Sequence, residues 1–262
     1  MARRAGARRC NGAGRLECIV ICRIEFPGIF ASHSNILARS GVLAPIHLVQ
    51  VPSQMPDLPH SPAAERNKQP ILDALSGILG EQGAMLEIAS GTGQHAVWFA
   101  TALSKWTWQP TDADARALPG IAARIEQAAL PNLRAPLLLD VTAPRWPSQG
   151  FAFAEGGEKF DAIYCANMIH IAPWAACVGL MQGAARHLRP GGVLVTYGPY
   201  FEDEVATAPS NLAFDEDLRG RDAAWGIRRI EDVAAEAQRV GLVLRERHVM
   251  PANNLLLVFG SP

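Results

Sequence analysis

Long apolar runs are missing from this chain of 262 residues. No stretch approaches the ~20 residues a membrane-crossing helix needs, so no bilayer span is expected. A surplus of charge is missing too: 24 basic against 25 acidic side chains give a net charge of −1. That balance carries no general signal for nucleic acid or a membrane surface. Cysteine is scarce and lacks metal spacing. Cys18-x-x-x-Cys22 has no second ligand pair, so no metal site is expected. Cys165 and Cys177 lie in apolar surroundings and read as core thiols, which suits a reducing compartment. Acids are absent from the first fifteen residues, and residues 1–60 hold seven Arg against three acids. The remainder is therefore mildly acidic, which disfavours a polyanion partner.

What is present is a hydrophobic fraction of 49%, enough for one sizeable α/β core. Residues 1–58 show no clear periodicity beyond a short strand pattern at 18–24, and prolines at 45, 52, 56 and 59 keep the chain extended. We expect a disordered basic, proline-rich extension over 1–58 and one folded domain over 59–262. The extension resembles either an organelle transit peptide or a start codon placed too far upstream. Cytoplasm is the expected location, with a transit peptide in residues 1–40 as the alternative.

Met85-Leu-Glu-Ile-Ala-Ser-Gly-Thr-Gly-Gln-His95 organises the domain. A short apolar run long enough for a buried strand breaks into Ser90-Gly91-Thr92-Gly93 and resumes as an apolar helical pattern from Ala96. Strand, glycine turn and helix open a nucleotide-binding unit. Gly91 and Gly93 allow a sharp turn and close ligand approach, and free amides at the helix start can donate to it. Glu87 sits in the strand, placed to accept from a cationic or hydroxylated ligand. Gly91-x-Gly93-x-x-Ala96 also fits a dinucleotide fingerprint, so the loop alone leaves a nicotinamide or flavin cofactor open.

The flanking chain alternates strand and helix. Ser61-Pro62 starts a helix to Leu79 with an interruption expected at Pro70. Glu65, Arg66 and Asn67 on it form either a solvated face or a polar strip closing over a cofactor. The second strand, Trp106–Asp112, ends on an acid placed to accept from two ribose hydroxyls. Asp114 is the fallback, and a chance surface acid the alternative. The third, Ala135–Val141, ends with Asp140 placed toward an exocyclic adenine amine and Val141 beside the ring; a turn role for Asp140 is the alternative. The fourth, Phe160–Asn167, is nearly all apolar, as a central parallel strand should be. Asn167 and His170 follow at the carboxyl edge, where open α/β sheets bind ligands. His170 is the candidate base, or else a histidine bonded to structure. The fifth strand follows a tight turn at Arg189–Gly192, and Tyr197 and Tyr200 beyond it are candidate substrate contacts. Residues 202–222 read as a polar insertion, a lid or a plain loop. The roughly five-residue turn from Met250 to Asn254 is too short for a crossover, so the last strand must run antiparallel to the sixth. Asn253 and Asn254 could then face a substrate.

Taken together, Glu65-Arg-Asn, Glu87 to His95, Trp108-Gln-Pro, Asn167-Met-Ile-His-Ile171, Tyr197-Gly-Pro-Tyr200, Ser210-Asn211, Phe214-Asp215, Trp225-Gly-Ile-Arg228 and Met250-Pro-Ala-Asn-Asn254 resemble class I S-adenosylmethionine-dependent methyltransferases. They look specifically like the methyltransferase-like protein 26 family, over about residues 61–260. The resemblance implies a Rossmann-like α/β fold: a seven-stranded, mostly parallel sheet with an antiparallel last strand and helices on both faces. It implies S-adenosyl-L-methionine bound by Glu87, Ala89, Ser90, Gly91, Gly93, Asp112, Asp140, Val141 and Asn167. His170, Asn167 and Tyr200 are the expected catalytic set, with Asn254 also positioning the acceptor, which would be a small molecule or a protein side chain. The proline-rich tetrapeptide of amide- and base-methylating enzymes is absent after the fourth strand, which argues against base methylation on nucleic acid. A non-catalytic cofactor-binding scaffold and an NAD-dependent oxidoreductase are the alternatives. The oxidoreductase predicts a sheet without the reversed strand.

Overall fold

A computed structural model describes residues 58–147 and 159–262. The expectations for residues 1–57, including the strand pattern at 18–24, lie outside the described residues.

Helix α1 (Pro62–Ile78) starts where Ser61 Oγ accepts from the Ala64 N–H at 3.2 Å. It runs through Pro70 without the expected interruption. The proline ring removes one N–H, the donor for the Arg66 carbonyl. Ile71, Leu72 and Leu75, buried just beyond it, hold the second half against the sheet. Strand β1 (Gly83–Ile88), α2 (Gln94–Ala102), β2 (Trp106–Asp112), α3 (Leu118–Ala128), the two-residue β3 (Leu137–Leu138) and β4 (Phe160–Ala166) then alternate. A 3-10 turn at Met168–His170 leads to α4 (Trp174–His187) and β5 (Leu188–Gly198). The chain closes with β6 (Tyr200–Phe201), α5 (Pro209–Arg221), β7 (Arg228–Arg229), α6 (Ile230–Arg239), β8 (Val243–Met250), a second 3-10 turn at Pro251–Asn253 and β9 (Asn254–Gly260).

Seven strands form one sheet in the order β3-β2-β1-β4-β5-β9-β8. Only β9 is antiparallel to its neighbours, as the short turn before it requires. β6 and β7 make a separate two-stranded parallel ladder. Each face of the main sheet has its own apolar layer. Phe99 of α2 and Ile71 and Leu75 of α1 pack with Met85 and Val195 on one side. Leu180 and Met181 of α4 and Val233 of α6 pack with Leu86 and Ile163 on the other. At ~25 cal/mol per Å² of apolar surface, these layers supply the main drive for the fold.

Three further elements differ from expectation, each for a local reason. The third strand pairs only at Leu137 and Leu138. It lies at the sheet edge, and Pro136 before it has no N–H to give a ladder. Arg189–Gly192 is not a turn before β5 but a bulge inside it. The pairing jumps from Phe160↔Leu188 to Ala162↔Val193, with Gly191 at φ 81°. Much of the polar insertion at 202–222 is helical, as α5. Asp215–Arg219 and Asp217–Arg221 pair one turn apart along it, and Leu218 is fully buried beneath.

Candidate functional site

β1 delivers Glu87 to the loop, and the next five residues turn sharply: Ala89, Gly91 and Gly93 have φ of 56°, 57° and 73°. Ser90 fastens this loop to β2. Its N–H donates to the Thr111 carbonyl at 2.8 Å, and its Oγ accepts from the Thr111 N–H at 3.2 Å. The two glycines do different work. A Cβ on Gly93 would meet Ile121 Cγ2 at 3.2 Å, so that glycine lets α3 pack closely. A Cβ on Gly91 would meet nothing within 4 Å, so its α-carbon presents bare backbone on the open side of the loop.

Two of the three acids converge on that loop. Asp112 ends β2, and its Oδ2 accepts from the Gly91 N–H at 2.8 Å while Oδ1 accepts from the Asp114 N–H at 2.9 Å. A carboxylate has about four lone-pair sites, so acceptor capacity remains for two hydroxyls. Asp114, the fallback, is instead engaged by Arg116. Glu87 is 2% exposed and accepts from Trp108 Nε1 at 2.5 Å. Burial pushes its pKa up to about 8, against the opposing pull of the Trp108 bond. Its carboxyl is therefore mostly neutral at pH 7 in the folded chain.

Asp140 reaches the same edge, because the Leu139 N–H donates to the Asp112 carbonyl at 2.8 Å. Its Oδ1 accepts from Thr142 N–H and Oγ1 at 2.8 and 2.7 Å, the turn arrangement. Val141 does not present its side chain at the rim. It is 6% exposed and belongs to the core layer under α4. β3 ends early, and the turn carries Val141 inward.

The start of α1 closes over the loop. The Ser61 N–H donates to Gln94 Oε1 at 2.6 Å, Gln94 Nε2 donates to Glu65 Oε2 at 3.3 Å, and Arg124 Nε donates to the Thr92 carbonyl at 2.8 Å. Of Glu65, Arg66 and Asn67, Glu65 meets Gln94 at the start of α2 and Asn67 meets His95, while Arg66 lines a neighbouring cavity. Asn67 joins a relay that the sequence reading did not find. Its Oδ1 lies 2.7 Å from His95 Nε2, and His95 Nδ1 lies 3.2 Å from the Tyr164 hydroxyl. Burial lowers the His95 pKa to about 4, so the ring is neutral. Nε2 then carries the proton toward Asn67 and Nδ1 accepts from Tyr164. Asn67 also bonds the Tyr197 hydroxyl. The one available signal was His95, the second residue of α2, and sequence spacing does not report its cross-helix pairing with Asn67.

A cavity of about 780 Å³ opens beside this relay, between α1, α5 and the ends of β4, β5 and β8. Asn167 lines it, with φ 60° and its N–H donating to the Tyr197 carbonyl at 2.7 Å. The other two expected catalytic residues do not line it. His170 is fully buried, and its Nδ1 accepts from the Arg228 N–H at 3.3 Å. That bond takes the lone pair a base would use, and burial lowers its pKa to about 3. His170 is the histidine bonded to structure. A Cβ on Gly198 would approach its Nε2 to 2.6 Å, so glycine is required there. Tyr200 is 5% exposed, donates its hydroxyl to Thr196 Oγ1 at 2.8 Å and packs edge-on against His170. Asn254 Nδ2 donates back to the Pro251 carbonyl at 3.0 Å, although the residue borders the cavity.

Other motif words prove to be fastenings. Arg228 Nε donates to the Ile169 carbonyl at 2.9 Å and Nη2 to the Ala172 carbonyl at 2.7 Å. Asp215 Oδ1 accepts from the Ile227 N–H at 2.7 Å. Together they lock the turn after β4 to the α5–β7 segment.

A glycine loop and acids at the carboxyl rim, on a sheet with one reversed strand next to its edge, define the class I methyltransferase fold. The reversed β9 is the feature the dinucleotide-binding alternative lacks. The chain belongs to the family described as "Protein of unknown function (DUF938)", which matches residues 58–261. Among solved structures, it is similar to an O-methyltransferase family protein from Burkholderia thailandensis, with TM-score 0.61 and 18% identity over 76% of this chain and 57% of that one. It is similar to the mitomycin 7-O-methyltransferase MmcR, with TM-score 0.63 and 12% identity over 76% and 54%. It is also similar to CalO1, a methyltransferase in calicheamicin biosynthesis solved in SAH-bound form, with TM-score 0.61 and 11% identity over 76% and 54%. The chain thus spans little more than half the length of these proteins. No helix among the described residues is long and apolar enough to cross a membrane.

Proposed function

We propose that the protein transfers a methyl group from S-adenosyl-L-methionine to a small-molecule or protein side-chain acceptor. Within the class, the motif words support kinship with the methyltransferase-like protein 26 family. The observation that carries the reading is the joint at Gly91, where bare backbone and the Asp112 carboxylate meet at the carboxyl rim. The fit is good: Asp112 keeps acceptor capacity for a ribose, and Asp140 follows at the same rim. Glu87 offers a buried carboxyl to the cationic amino-acid end. The sulfonium supplies an already activated methyl group. What the chain must add is alignment, which can be worth several kcal/mol. Asn67, Asn167 and Tyr197 are the wall against which an acceptor would be held.

Calorimetry of the full chain with S-adenosylhomocysteine tests the cofactor. We expect measurable binding, reduced at least about tenfold in Asp112→Ala, in line with the loss of a charge-assisted bond. Equal affinity in that variant would refute the assignment. Labelled methyl transfer into fractionated lysate tests turnover and separates an enzyme from a non-catalytic scaffold.

A further inference from the structure

Among the described residues lining the 780 Å³ cavity, Arg66 is the only charged side chain. Its neighbour Glu65 is turned toward Lys68 and Gln94. No carboxylate of a described residue lies within ion-pair distance of the Arg66 guanidinium. The polar remainder of the lining is amide and hydroxyl, while Phe214 and Ile171 put exposed apolar surface at its mouth. A guanidinium with no ion pair among the described residues, in an otherwise uncharged and partly apolar cavity, favours an amphipathic anion.

The lining also holds no histidine, carboxylate, lysine or cysteine among the described residues. The nearby imidazoles are committed: His170 Nδ1 to the Arg228 N–H and His95 to Asn67 and Tyr164. The Tyr197 hydroxyl borders the cavity, and burial raises its pKa. An alcohol, a phenol or an ammonium acceptor must lose a proton during or before methylation, and no described residue lining this cavity is poised to take it. A carboxylate arrives ionised at neutral pH.

We infer that the acceptor is a small amphipathic carboxylate, held by Arg66 with its apolar part against Phe214 and Ile171, and methylated on oxygen. The inference rests on the methyl-transfer reading above. A carboxylate oxygen lone pair forms the new O–CH3 bond. The S–CH3 bond breaks with its electron pair left on sulfur, giving a methyl ester and S-adenosylhomocysteine. No proton is exchanged. The ester is neutral and loses its ion pair with Arg66, which favours release.

The test is titration of the full chain, saturated with S-adenosylhomocysteine, with trans-cinnamate and with its neutral counterpart cinnamamide. Cinnamate should bind about tenfold tighter or more, as a charge-assisted pair requires. Arg66→Gln should erase the preference while S-adenosylhomocysteine still binds. Equal affinities in the wild type overturn the inference. Failure of S-adenosylhomocysteine itself to bind overturns the cofactor reading instead. In the second arm, label transferred from S-adenosylmethionine to low-mass lysate compounds should leave as volatile methanol after mild alkali. Alkali-stable label overturns the inference and leaves methyl transfer standing.

Discussion

The Trp108 indole N–H donates to Glu87 Oε2 at 2.5 Å, tying β2 to β1 directly beneath the glycine loop. This bond sits inside an apolar layer, where Phe99 packs tilted against the same indole, with ring centroids 5.5 Å apart. Glu87 ordinarily ionises near 4.5 and in the folded chain near 8. The folded state keeps a proton that the unfolded state releases between those values. Stability from this group is therefore fully present below pH 4.5 and lost as pH rises toward 8, by up to ~1.4 kcal/mol per pH unit. Glu87→Gln should raise the Tm at pH 8 and leave it nearly unchanged at pH 4.5. A wild type more stable than the variant at pH 8 would contradict this.

Ligand binding should reveal the same proton. A cationic amino group brought near Glu87 favours the carboxylate, so the acid should ionise on binding at pH 7. Calorimetry with S-adenosylhomocysteine should then give apparent enthalpies that differ between phosphate and Tris, through the buffer's uptake of the released proton. In Glu87→Gln the buffer dependence should shrink. Identical enthalpies in both buffers for the wild type would exclude a proton-linked Glu87.

How much of this was legible in the chain depends on the range of the interaction. Trp106–Asp112 and the glycine loop could be located because strand period and glycine placement are local. The reversed β9 was legible from the length of the turn before it. β3 fell short of its apolar pattern because its partner strand and Pro136 set its length. Asp112 and Asn167 could be placed at the rim because strand ends can be counted. Val141, His170 and Tyr200 lie buried rather than open at the rim for one reason: the sequence places a residue at a strand end but does not say which way its side chain turns. Likewise, the Asn67–His95–Tyr164 relay joins three elements whose contact no local pattern encodes.

His170 separates a positioning role from chemistry. Its pKa is lowered from 6.5 to about 3 by burial, with the Arg228 charge acting in the same sense. Its contribution to stability is therefore present above pH 6.5 and lost as pH falls toward 3. His170→Phe keeps a ring against Tyr200 but removes the acceptor for the Arg228 N–H. We expect it to cost ~1–3 kcal/mol at pH 8 by urea unfolding and to flatten the acid side of the profile, with His95 supplying what dependence remains. S-adenosylhomocysteine affinity should stay near that of the wild type. Unchanged stability with abolished turnover would restore His170 as a base.

α5 forms the cavity wall facing α1, and two side-chain bonds fix its first turn. Asn211 Nδ2 donates to the Asn253 carbonyl at 2.9 Å, and Asn253 Nδ2 donates to Ser210 Oγ at 3.1 Å. These bonds hold the helix to the turn between β8 and β9, across the cavity from α1. Leu218 anchors its other end in the core. Asn211→Ala should therefore cost only ~1 kcal/mol in global stability while loosening the first turn of the helix. Amide exchange over residues 209–215 should quicken, with little change over 216–221. The glycine loop is remote from these bonds, so S-adenosylhomocysteine affinity should hold while acceptor KM rises several-fold. A matching loss of cofactor affinity would mean that α5 supports the whole rim rather than the acceptor wall alone.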